Sequence, residues 1–332
     1  MKILITGSSG YIGQPLSYKL KKAHDVIGVD NYSRVEWVKR INPQNIASYG
    51  DSETIIGNLT DKDFVDEILK LHRPDVIIHL ASQPSMPYSQ LSWERALFTQ
   101  LNNISMNLNL LWGIKENGLK TRYIITTTTG IPGQTYDEVP EDNTLNMAGS
   151  WYHVSRGFDS DNCNLASRQF NIQVIEFRTS IVYGLQTKEL KEKGFCSRFD
   201  TDSYFGTVLN RFVKQAIEKK PLTIYGEGNQ TKPFISLWDC CESIAKAVDY
   251  DFGTEKHIIL NQTTECISIA TLANLVAKFF GTTVEHIPNP RKEKEDFDMW
   301  FKNDKFMKLL GTPNQLIGEG LKEMERLLNY GR

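Results

Sequence analysis

Short continuous apolar runs alternate with longer segments of helical periodicity along the first 180 residues. The apolar runs have the length and composition of buried strands. They are Lys2–Thr6, Asp25–Val29, Thr54–Ile56, Asp75–Leu80, Tyr123–Thr127 and Val174–Phe177. Between them, helices are predicted at Ile12–Lys22, Lys62–Leu71 and Asn103–Glu116. This alternation predicts an α/β fold, with parallel βαβ units in a doubly wound sheet.

The pattern changes after Gly184. Residues 185–203 are charged and contain no clear strand, so a surface loop is the simpler interpretation and a lid the alternative. Further elements are predicted at Thr207–Lys219 (helix), Leu222–Tyr225 (strand), Leu237–Asp249 (helix) and near His257–Asn261 (strand), with two or three helices after Ser268. We therefore expect one domain over residues 1–184 with a return strand near 233–262. Residues 185–232 and 263–332 would form a smaller C-terminal lobe.

Composition narrows the class of protein. The 332 residues fit one or two domains. The 38 Lys and Arg against 40 Asp and Glu leave a net charge of −2, which excludes a generally basic surface for nucleic acid. Hydrophobic residues make up 40%, enough for a sizeable core. No apolar run approaches the roughly 18 residues of a membrane span. We therefore expect neither a nucleic-acid nor a membrane partner.

The cysteines and histidines carry no ligand pattern. The five cysteines are odd in number and irregularly spaced, which favours free thiols in a reducing compartment. The six histidines lack metal-ligand spacing, so no metal is expected. Met1 is followed at once by a predicted strand rather than by a signal peptide. The expected location is the cytoplasm.

A glycine-rich segment, Thr6–Gly13, joins the first predicted strand to the first helix. Gly7, Gly10 and Gly13 have the spacing that permits a tight turn and close approach of a pyrophosphate to the helix N-terminus. Asp30, at the end of the second strand, can accept hydrogen bonds from the adenine ribose and repels a 2′-phosphate, which favours NAD over NADP. Arg34 weakens that preference. An ordinary glycine turn is the alternative.

A tyrosine and an arginine share one predicted helix face, since Tyr152 and Arg156 stand four residues apart. A nearby cation favours the phenolate and would make Tyr152 a usable base. Thr126–Thr129 end the fifth strand at the edge where such folds bind ligands. A solvated helix face and a β-branched strand end are the structural alternatives.

Together these motifs resemble the extended short-chain dehydrogenase/reductase family, which modifies nucleotide sugars. The glycine segment, Asp30, Asn58, Asn103, Thr128, Tyr152 and Tyr183–Gly184 follow the family's order and spacing. The resemblance implies a Rossmann-like domain, NAD as cofactor and homodimers. It maps the family's Ser/Thr, Tyr and Lys triad onto Thr128, Tyr152 and Arg156. The implied cofactor-binding residues are Gly7, Gly10, Tyr11, Ile12, Gly13, Asp30, Asn31, Arg34, Asn58, Leu59, Leu80, Ala81, Ser82, Asn103, Tyr152 and Arg156.

Longer segments resemble one branch of that family, the UDP-sulfoquinovose synthases. The matching segments are 84–89, 152–156, 159–162, 205–212, 221–226 and 288–291. This resemblance implies a UDP-hexose substrate, UDP-glucose, and sulfite as a second substrate. The implied substrate-binding residues are Gln83, Thr128, His153, Thr179, Asn210, Arg211, Tyr225, Gln230, Lys232 and Arg291.

Five positions depart from the expected pattern. Arg156 replaces the family lysine and keeps its charge, but it cannot be deprotonated for a proton relay. Lys232 replaces an arginine typical of the branch, and Asn58 replaces the usual aspartate. Thr129–Gly130 stands where the 4,6-dehydratases carry Asp-Glu, which argues against that reaction.

These inferences predict an NAD-dependent enzyme that oxidises C4 of a nucleotide sugar to a ketone, with sulfite addition as the sulfoquinovose-type outcome. Epimerisation, or other 4-keto chemistry on the same scaffold, is the alternative that uses the same residues. A non-catalytic NAD-binding module is a third interpretation, in which the altered lysine position marks lost chemistry. The retained Thr128 and Tyr152 argue against it.

Overall fold

The computed structural model describes residues 1–34, 54–133, 138–141, 149–289 and 298–329. Its strands are β1 (Lys2–Thr6), β2 (Asp25–Asp30), β3 (Thr54–Ile56), β4 (Val76–His79), β5 (Arg122–Thr128), β6 (Val174–Thr179), β7 (Ile181–Tyr183), β8 (Leu222–Tyr225), β9 (Thr231–Ser236), β10 (His257–Gln262), β11 (Glu265–Ser268) and β12 (Val284–Ile287). Its helices are α1 (Gly13–Leu20), α2 (Lys62–His72), α3 (Met86–Ser89), α4 (Trp93–Glu116), α5 (Trp151–Gln169), α6 (Lys188–Glu192), α7 (Val208–Ile217), α8 (Leu237–Asp249), α9 (Ile269–Phe280), α10 (Asp304–Leu310) and α11 (Ile317–Asn329).

A seven-stranded parallel sheet runs through the described chain in the order β10-β6-β5-β4-β1-β2-β3. Residues such as Ile3, Leu4 and Ile5 are fully buried, because helices cover both faces of the sheet. One face packs against α1 and α8, and the other against α2, α4 and α5. The predicted doubly wound, Rossmann-like fold is confirmed.

The later part of the chain adds two small sheets beside the main one. Strands β11, β9 and β7 form one, and β12 pairs with β8 in the other. Helices α7, α9 and α11 pack against them around a third apolar cluster that includes Phe212, Phe234 and Leu272. Strand β10 returns to the main sheet and pairs in parallel with β6. The division into domains at residues 184 and 185 stays a prediction.

The element predictions were wrong in two respects. Helix α4 begins at Trp93, ten residues before the predicted start, because the Ser92 hydroxyl accepts the Arg95 amide at 3.4 Å and caps an earlier turn. The short elements β7, β9, β11, β12, α3 and α6 were not predicted. Most are four to six residues long, too short to show a period.

All five cysteines are free thiols, as expected. Within the described residues no cluster of three or more His, Cys, Asp or Glu side chains could hold a metal ion. No helix among those residues has the length and hydropathy of a membrane span.

Candidate active site

The carboxyl ends of the central strands meet at one edge of the sheet. Thr6 at the end of β1 is in register with His79 of β4, and Thr128 of β5 is in register with Thr179 of β6. In doubly wound folds ligands bind at this edge, where the strand order reverses. The glycine segment and the Thr128 region therefore belong to one candidate site.

The glycine segment forms a turn that only glycine can make at two positions. Gly7 has φ +70, and a Cβ there would lie 2.8 Å from the Ala81 nitrogen. A Cβ on Gly13 would lie 2.0 Å from the Gly7 carbonyl oxygen. Residues 7–12 therefore make a tight turn between β1 and α1 that side chains at these two positions would block.

The geometry of this turn fits the pyrophosphate of NAD. Helix α1 starts after Ile12 without a side-chain cap, and the positive end of its dipole favours an anion there. The buried hydroxyls of Ser8 and Ser9 have no hydrogen-bond partner within the described chain. Buried polar atoms normally have partners, so these hydroxyls suit a bound ligand.

Asp30 lies where an adenine ribose would be recognised. Its carboxylate accepts the Ser9 amide at 3.0 Å and the Tyr32 amide at 2.8 Å, which fixes its orientation beside the glycine segment. Arg34 is turned toward Asp200, with 3.1 Å between guanidinium and carboxylate, and stacks over the Phe205 ring. The positive charge of Arg34 is therefore paired with the Asp200 carboxylate. Paired in this way, Arg34 does not weaken the preference for NAD over NADP that Asp30 predicts.

Thr128 and Tyr152 are brought together across the gap between β5 and α5. The Ser150 hydroxyl caps α5 by accepting the His153 amide at 3.1 Å, and this places Tyr152 in the first turn. The Tyr152 amide donates to the Ser89 hydroxyl at 3.1 Å. The Thr128 hydroxyl lies close enough to the Tyr152 phenol to favour its ionised form and lower its pKa. This pair can hold and deprotonate a sugar hydroxyl.

The predicted low pKa of Tyr152 was wrong. Burial raises the pKa of the phenol above its ordinary value, although Arg156 and the Thr128 hydroxyl both lower it. The charge of Arg156 therefore acts on Tyr152 with the predicted sign, but desolvation outweighs it.

Arg156 is buried and held from two sides. Its guanidinium donates to the Thr126 carbonyl and lies 2.6 Å from the Asp159 carboxylate. A lysine would place a single ammonium here, whereas arginine spreads several donors in a planar fork. Both contacts bind Arg156 to the protein interior beneath β5.

His153 lies between Tyr152 and Lys232. Its ring centroid is 5.3 Å from that of Tyr152, and a Cβ on Gly130 would meet the imidazole at 2.3 Å. Burial and the positive charge of Lys232 lower the pKa of His153 to about 4. The imidazole is therefore neutral near pH 7, and within the described residues its buried Nδ1 has no hydrogen-bond partner.

Several predicted cofactor residues form part of an internal hydrogen-bond network. The Asn103 amide donates to the Gln83 carbonyl and to the Ser155 hydroxyl, and it accepts the Gln83 amide at 2.8 Å. The Asn58 side chain accepts the Thr60 amide at 3.1 Å. Residues Leu80, Ala81 and Ser82 follow β4 beside the glycine turn. Their roles toward NAD stay predictions.

The predicted substrate residues lie on both sides of the candidate site. The Arg211 guanidinium lies 3.8 Å from the centre of the Tyr225 ring and donates to the Thr223 carbonyl. Asn210 donates to the Asp200 carbonyl at 2.9 Å. Thr179 donates to Gln262 at 2.8 Å, toward the interior. The remaining predicted positions are Gln230 before β9, Lys232 within β9, and Arg291, which lies outside the described residues.

Three groups in or near the candidate site were not predicted from the sequence. Ser8 and Ser9 stand between two of the quoted glycines, where their small polar side chains were a usable signal. Asp159 stands three residues after Arg156, which a search for i,i+3 ion pairs finds. The partner of Arg34, Asp200, is 166 positions away and left no local signal.

The family model described as "NAD dependent epimerase/dehydratase family" matches residues 3–261. The chain is 31% identical to a chloroplastic UDP-sulfoquinovose synthase from Spinacia oleracea, covering 99% of this chain and 75% of that one. It is 30% identical to a UDP-sulfoquinovose synthase from Sulfolobus acidocaldarius, covering 89% and 84%.

Solved structures of the same architecture cover the whole chain. A UDP-glucuronic acid 4-epimerase from Bacillus cereus, in complex with UDP-glucuronic acid and NAD, has a TM-score of 0.80 and 25% identity, with both chains fully covered. A UDP-glucose 4-epimerase from Thermotoga maritima, with UDP-glucose, has a TM-score of 0.82 at 22% identity, with both chains fully covered. At this identity the similarity supports only the shared fold.

Proposed function

The chain belongs to the NAD-dependent epimerase/dehydratase family, and we propose that it converts UDP-glucose and sulfite into a UDP-sulfosugar through a 4-keto intermediate. It is a nucleotide-sugar-modifying enzyme that uses NAD. The observation that carries the finer assignment is the position of His153, whose ring centroid is 5.3 Å from that of Tyr152 and whose imidazole packs against Gly130, just after Thr128. Two UDP-sulfoquinovose synthases, about a third identical over most of the chain, support it.

The NAD would lie against the glycine turn, with its pyrophosphate at the N-terminus of α1 and its adenine ribose at Asp30. Bound there, it supplies a hydride acceptor that later returns the hydride. Ser8 and Ser9 would donate hydrogen bonds to it. Asp30 selects a free ribose hydroxyl over a 2′-phosphate.

Tyr152 is the group that takes the proton from the sugar 4-hydroxyl. Thr128 lies close to the phenol and can hold the substrate hydroxyl in line with it. Deprotonation is favoured by the Arg156 charge and by Thr128, which both oppose the effect of burial. Loss of this proton accompanies oxidation of C4 to the ketone.

His153 suits the second proton transfer. A 4-ketone makes the neighbouring C5–H acidic, and a neutral imidazole with a free nitrogen can remove that proton. The C6 hydroxyl then leaves as water and a C5=C6 double bond forms. The sulfur of sulfite adds at C6, a proton returns to C5, and the ketone at C4 is reduced. The reaction as a whole therefore involves no net oxidation.

Lys232 places a positive charge next to His153. This charge favours an anion, either sulfite or the substrate diphosphate. The ammonium supplies charge without the bidentate geometry of the arginine it replaces.

A 4-epimerase is the second candidate. The fully covering similarity to the B. cereus UDP-glucuronic acid 4-epimerase, at 25% identity, favours it. That reaction uses the same Thr128 and Tyr152 chemistry at C4 but needs no base for C5 and no sulfite.

Mass spectrometry of UDP-glucose incubated with enzyme and NAD in heavy water, with and without sulfite, separates these candidates. The proposal predicts deuterium at C5 without sulfite and a sulfonated sugar nucleotide with it. A 4-epimer without deuterium or sulfonate would replace the proposal by epimerisation. UDP-glucose that binds and stays unchanged in both conditions would overturn catalysis on this substrate.

Two variants assign the steps to residues. Tyr152→Phe should abolish both products while NAD stays bound. His153→Gln should lose the deuterium and the sulfonate but keep oxidation at C4, observed as cofactor reduction. His72→Gln, in the last turn of α2, is the matched control and should behave as the native enzyme.

A further inference from the structure

A buried ion pair lies beneath the candidate catalytic tyrosine. Arg156 and Asp159 stand on consecutive turns of α5, with 2.6 Å between Nη1 and the carboxylate oxygen. Arg156 is 1% exposed and Asp159 is fully buried. Charges this deep are tolerated in proteins when they are paired. The charges of Arg156 and Asp159 therefore act on Tyr152 together.

The polar groups around the pair come from five elements. Tyr152, Arg156 and Cys163 share α5 with Asp159, while Asn107 of α4 donates to the backbone carbonyl of Asp159 at 3.3 Å. His79 of β4 and Tyr123 of β5 face the same region. The remaining neighbour is Glu176 of β6.

Glu176 is satisfied by other partners. Its carboxylate lies 3.0 Å from His257 and 3.7 Å from Arg178, and it accepts hydrogen bonds from Thr127 and Ser160, each at 2.7 Å. These contacts lower the pKa of Glu176 to about 2 against the effect of burial, so it stays charged. Its negative charge raises the pKa of Asp159, but less than burial does.

We propose that Asp159 is a positioning residue of the active site, which balances the charge of Arg156 and thereby sets how readily Tyr152 releases its phenolic proton. This role rests on the proposed function, in which Tyr152 is the proton acceptor. Asp159 touches neither substrate nor cofactor and acts through Arg156.

The exchange of lysine for arginine gives Asp159 this role. Arginine keeps its proton throughout the working pH range, so only the carboxylate of the pair can change charge. When Asp159 is ionised, its charge opposes that of Arg156 and weakens the effect of the guanidinium on Tyr152. When Asp159 is neutral, the guanidinium charge acts on the phenol and favours the phenolate. Burial raises the pKa of Asp159 to about 7, although Arg156 lowers it, so both states are accessible near neutrality.

Carbon-13 NMR of protein carrying tyrosine labelled at Cζ measures the phenol directly, and comparison with Tyr152→Phe assigns the Tyr152 signal. In Asp159→Asn we expect the pKa of Tyr152 to fall by about one unit, the lower end of the effect of a nearby charge. Asp161→Asn, which removes an exposed carboxylate from the same helix, is the matched control and should leave the titration unchanged. An unchanged titration in Asp159→Asn would overturn the proposal.

If Asp159→Asn does not fold, the double variant Arg156→Met, Asp159→Leu replaces the pair by apolar side chains of similar size, an exchange that buried ion pairs often tolerate. Under the proposal the pair is close to neutral at high pH, so the pKa of Tyr152 should equal the native value. A rise of about one unit or more would mean that the Arg156 charge was never balanced, and would overturn the proposal.

The NMR titration uses the protein without substrate. Absence of turnover on UDP-glucose would therefore count against the proposed function alone. Absence of a Tyr152 shift would count against the role of Asp159 alone.

Discussion

Arg34, which follows β2, lies with its guanidinium 3.1 Å from the carboxylate of Asp200, in the chain between β7 and α7. This contact is one of several that tie residues 197–206, the bridging segment, to the carboxyl edge of the sheet. The Ser197 hydroxyl donates to the Tyr11 carbonyl of the glycine segment at 3.3 Å, and the Ser85 hydroxyl donates to the Tyr204 carbonyl. The bridging segment therefore spans the loops that follow β1, β2 and β4, where the cofactor would bind.

Loss of the Arg34 contacts should speed release of NAD. In Arg34→Gln the bridging segment loses an ion pair and a stacking contact with Phe205. Contacts of this kind contribute about 1–2 kcal/mol together, so we expect release about tenfold faster. The fluorescence of bound NADH, followed during dilution, measures the rate at which the cofactor is released. Arg168→Gln, on an exposed position of α5, is the control, and equal rates in all three proteins would contradict the prediction.

Arg156→Lys should lower stability while keeping the charge. The lysine ammonium cannot reproduce the planar contacts to both Asp159 and the Thr126 carbonyl, so a buried hydrogen bond is lost. We expect the free energy of unfolding to fall by about 1–3 kcal/mol, measured by urea denaturation. We also expect faster C4 oxidation, because an ammonium released from Thr126 can take the role that lysine has in the family.

The control for that substitution is Arg168→Lys, the same exchange on the exposed face of the same helix. It should change neither stability nor rate. Unchanged stability in Arg156→Lys would mean that its buried contacts contribute little. An unchanged rate would mean that the charge alone matters at this position.

The lowered pKa of His153 predicts a loss of stability in acid. Below its ordinary pKa of 6.5 the imidazole takes up a proton in the unfolded chain, whereas the folded protein resists this until about pH 4. The contribution is therefore complete above pH 6.5 and lost progressively as the pH falls toward 4. Between pH 8 and pH 5, His153→Gln should lose about 2 kcal/mol less stability than the native protein.

Urea denaturation at the two pH values tests this difference. His79, whose pKa burial lowers to about 3, adds to the acid sensitivity of both proteins and cancels in the comparison. Equal losses in the native protein and in His153→Gln would show that His153 can take up a proton in the folded state.

Two neighbouring helices expose large apolar side chains that suit a second copy of the chain. On α4, Trp93 is 72% exposed and Leu101 58%; on α5, Phe158 and Leu165 are exposed one heptad apart. Exposed apolar side chains grouped in this way mark interaction surfaces, and a twofold dimer buries the same patch of both copies. We therefore expect the homodimer to form through α4 and α5.

The substitutions Leu101→Glu and Phe158→Glu together should yield monomers, as measured by light scattering after gel filtration. Leu316→Glu changes an equally exposed leucine elsewhere and is the control. A dimer that persists in the double variant would place the interface on another surface, and a native monomer would remove the homodimer altogether.

Features that depend on neighbouring residues could be predicted from the sequence. The strand and helix alternation, the glycine turn and Asp30 each follow from short-range pattern, since buried strands and tight turns need particular residues at fixed spacing. The shared helix face of Tyr152 and Arg156 also follows from local periodicity, and the resemblance to the family added Thr128 to this pair. This is why the fold class and the candidate catalytic trio were accessible without coordinates.

The pKa values and charge states of those residues could not be predicted from the sequence. Whether the pKa of Tyr152 ends above or below its ordinary value depends on burial as well as on the charge of Arg156. The packing of α5 against β5 makes desolvation the larger of the two effects. The neutral state of His153 likewise depends on Lys232, which is near it only through the pairing of distant elements.

The sequence by itself determined the sheet and the glycine turn, because both rest on local periodicity or spacing, and its resemblance to the family indicated which side chains are candidates for the reaction. Only the tertiary structure decided how those side chains are charged and covered. Arg34 meets Asp200 across 166 positions of chain, and Asp159 faces Tyr123 and Glu176 from other elements. Contacts of that range depend on packing, and the dielectric around a charge depends on burial, so neither is written in a local pattern.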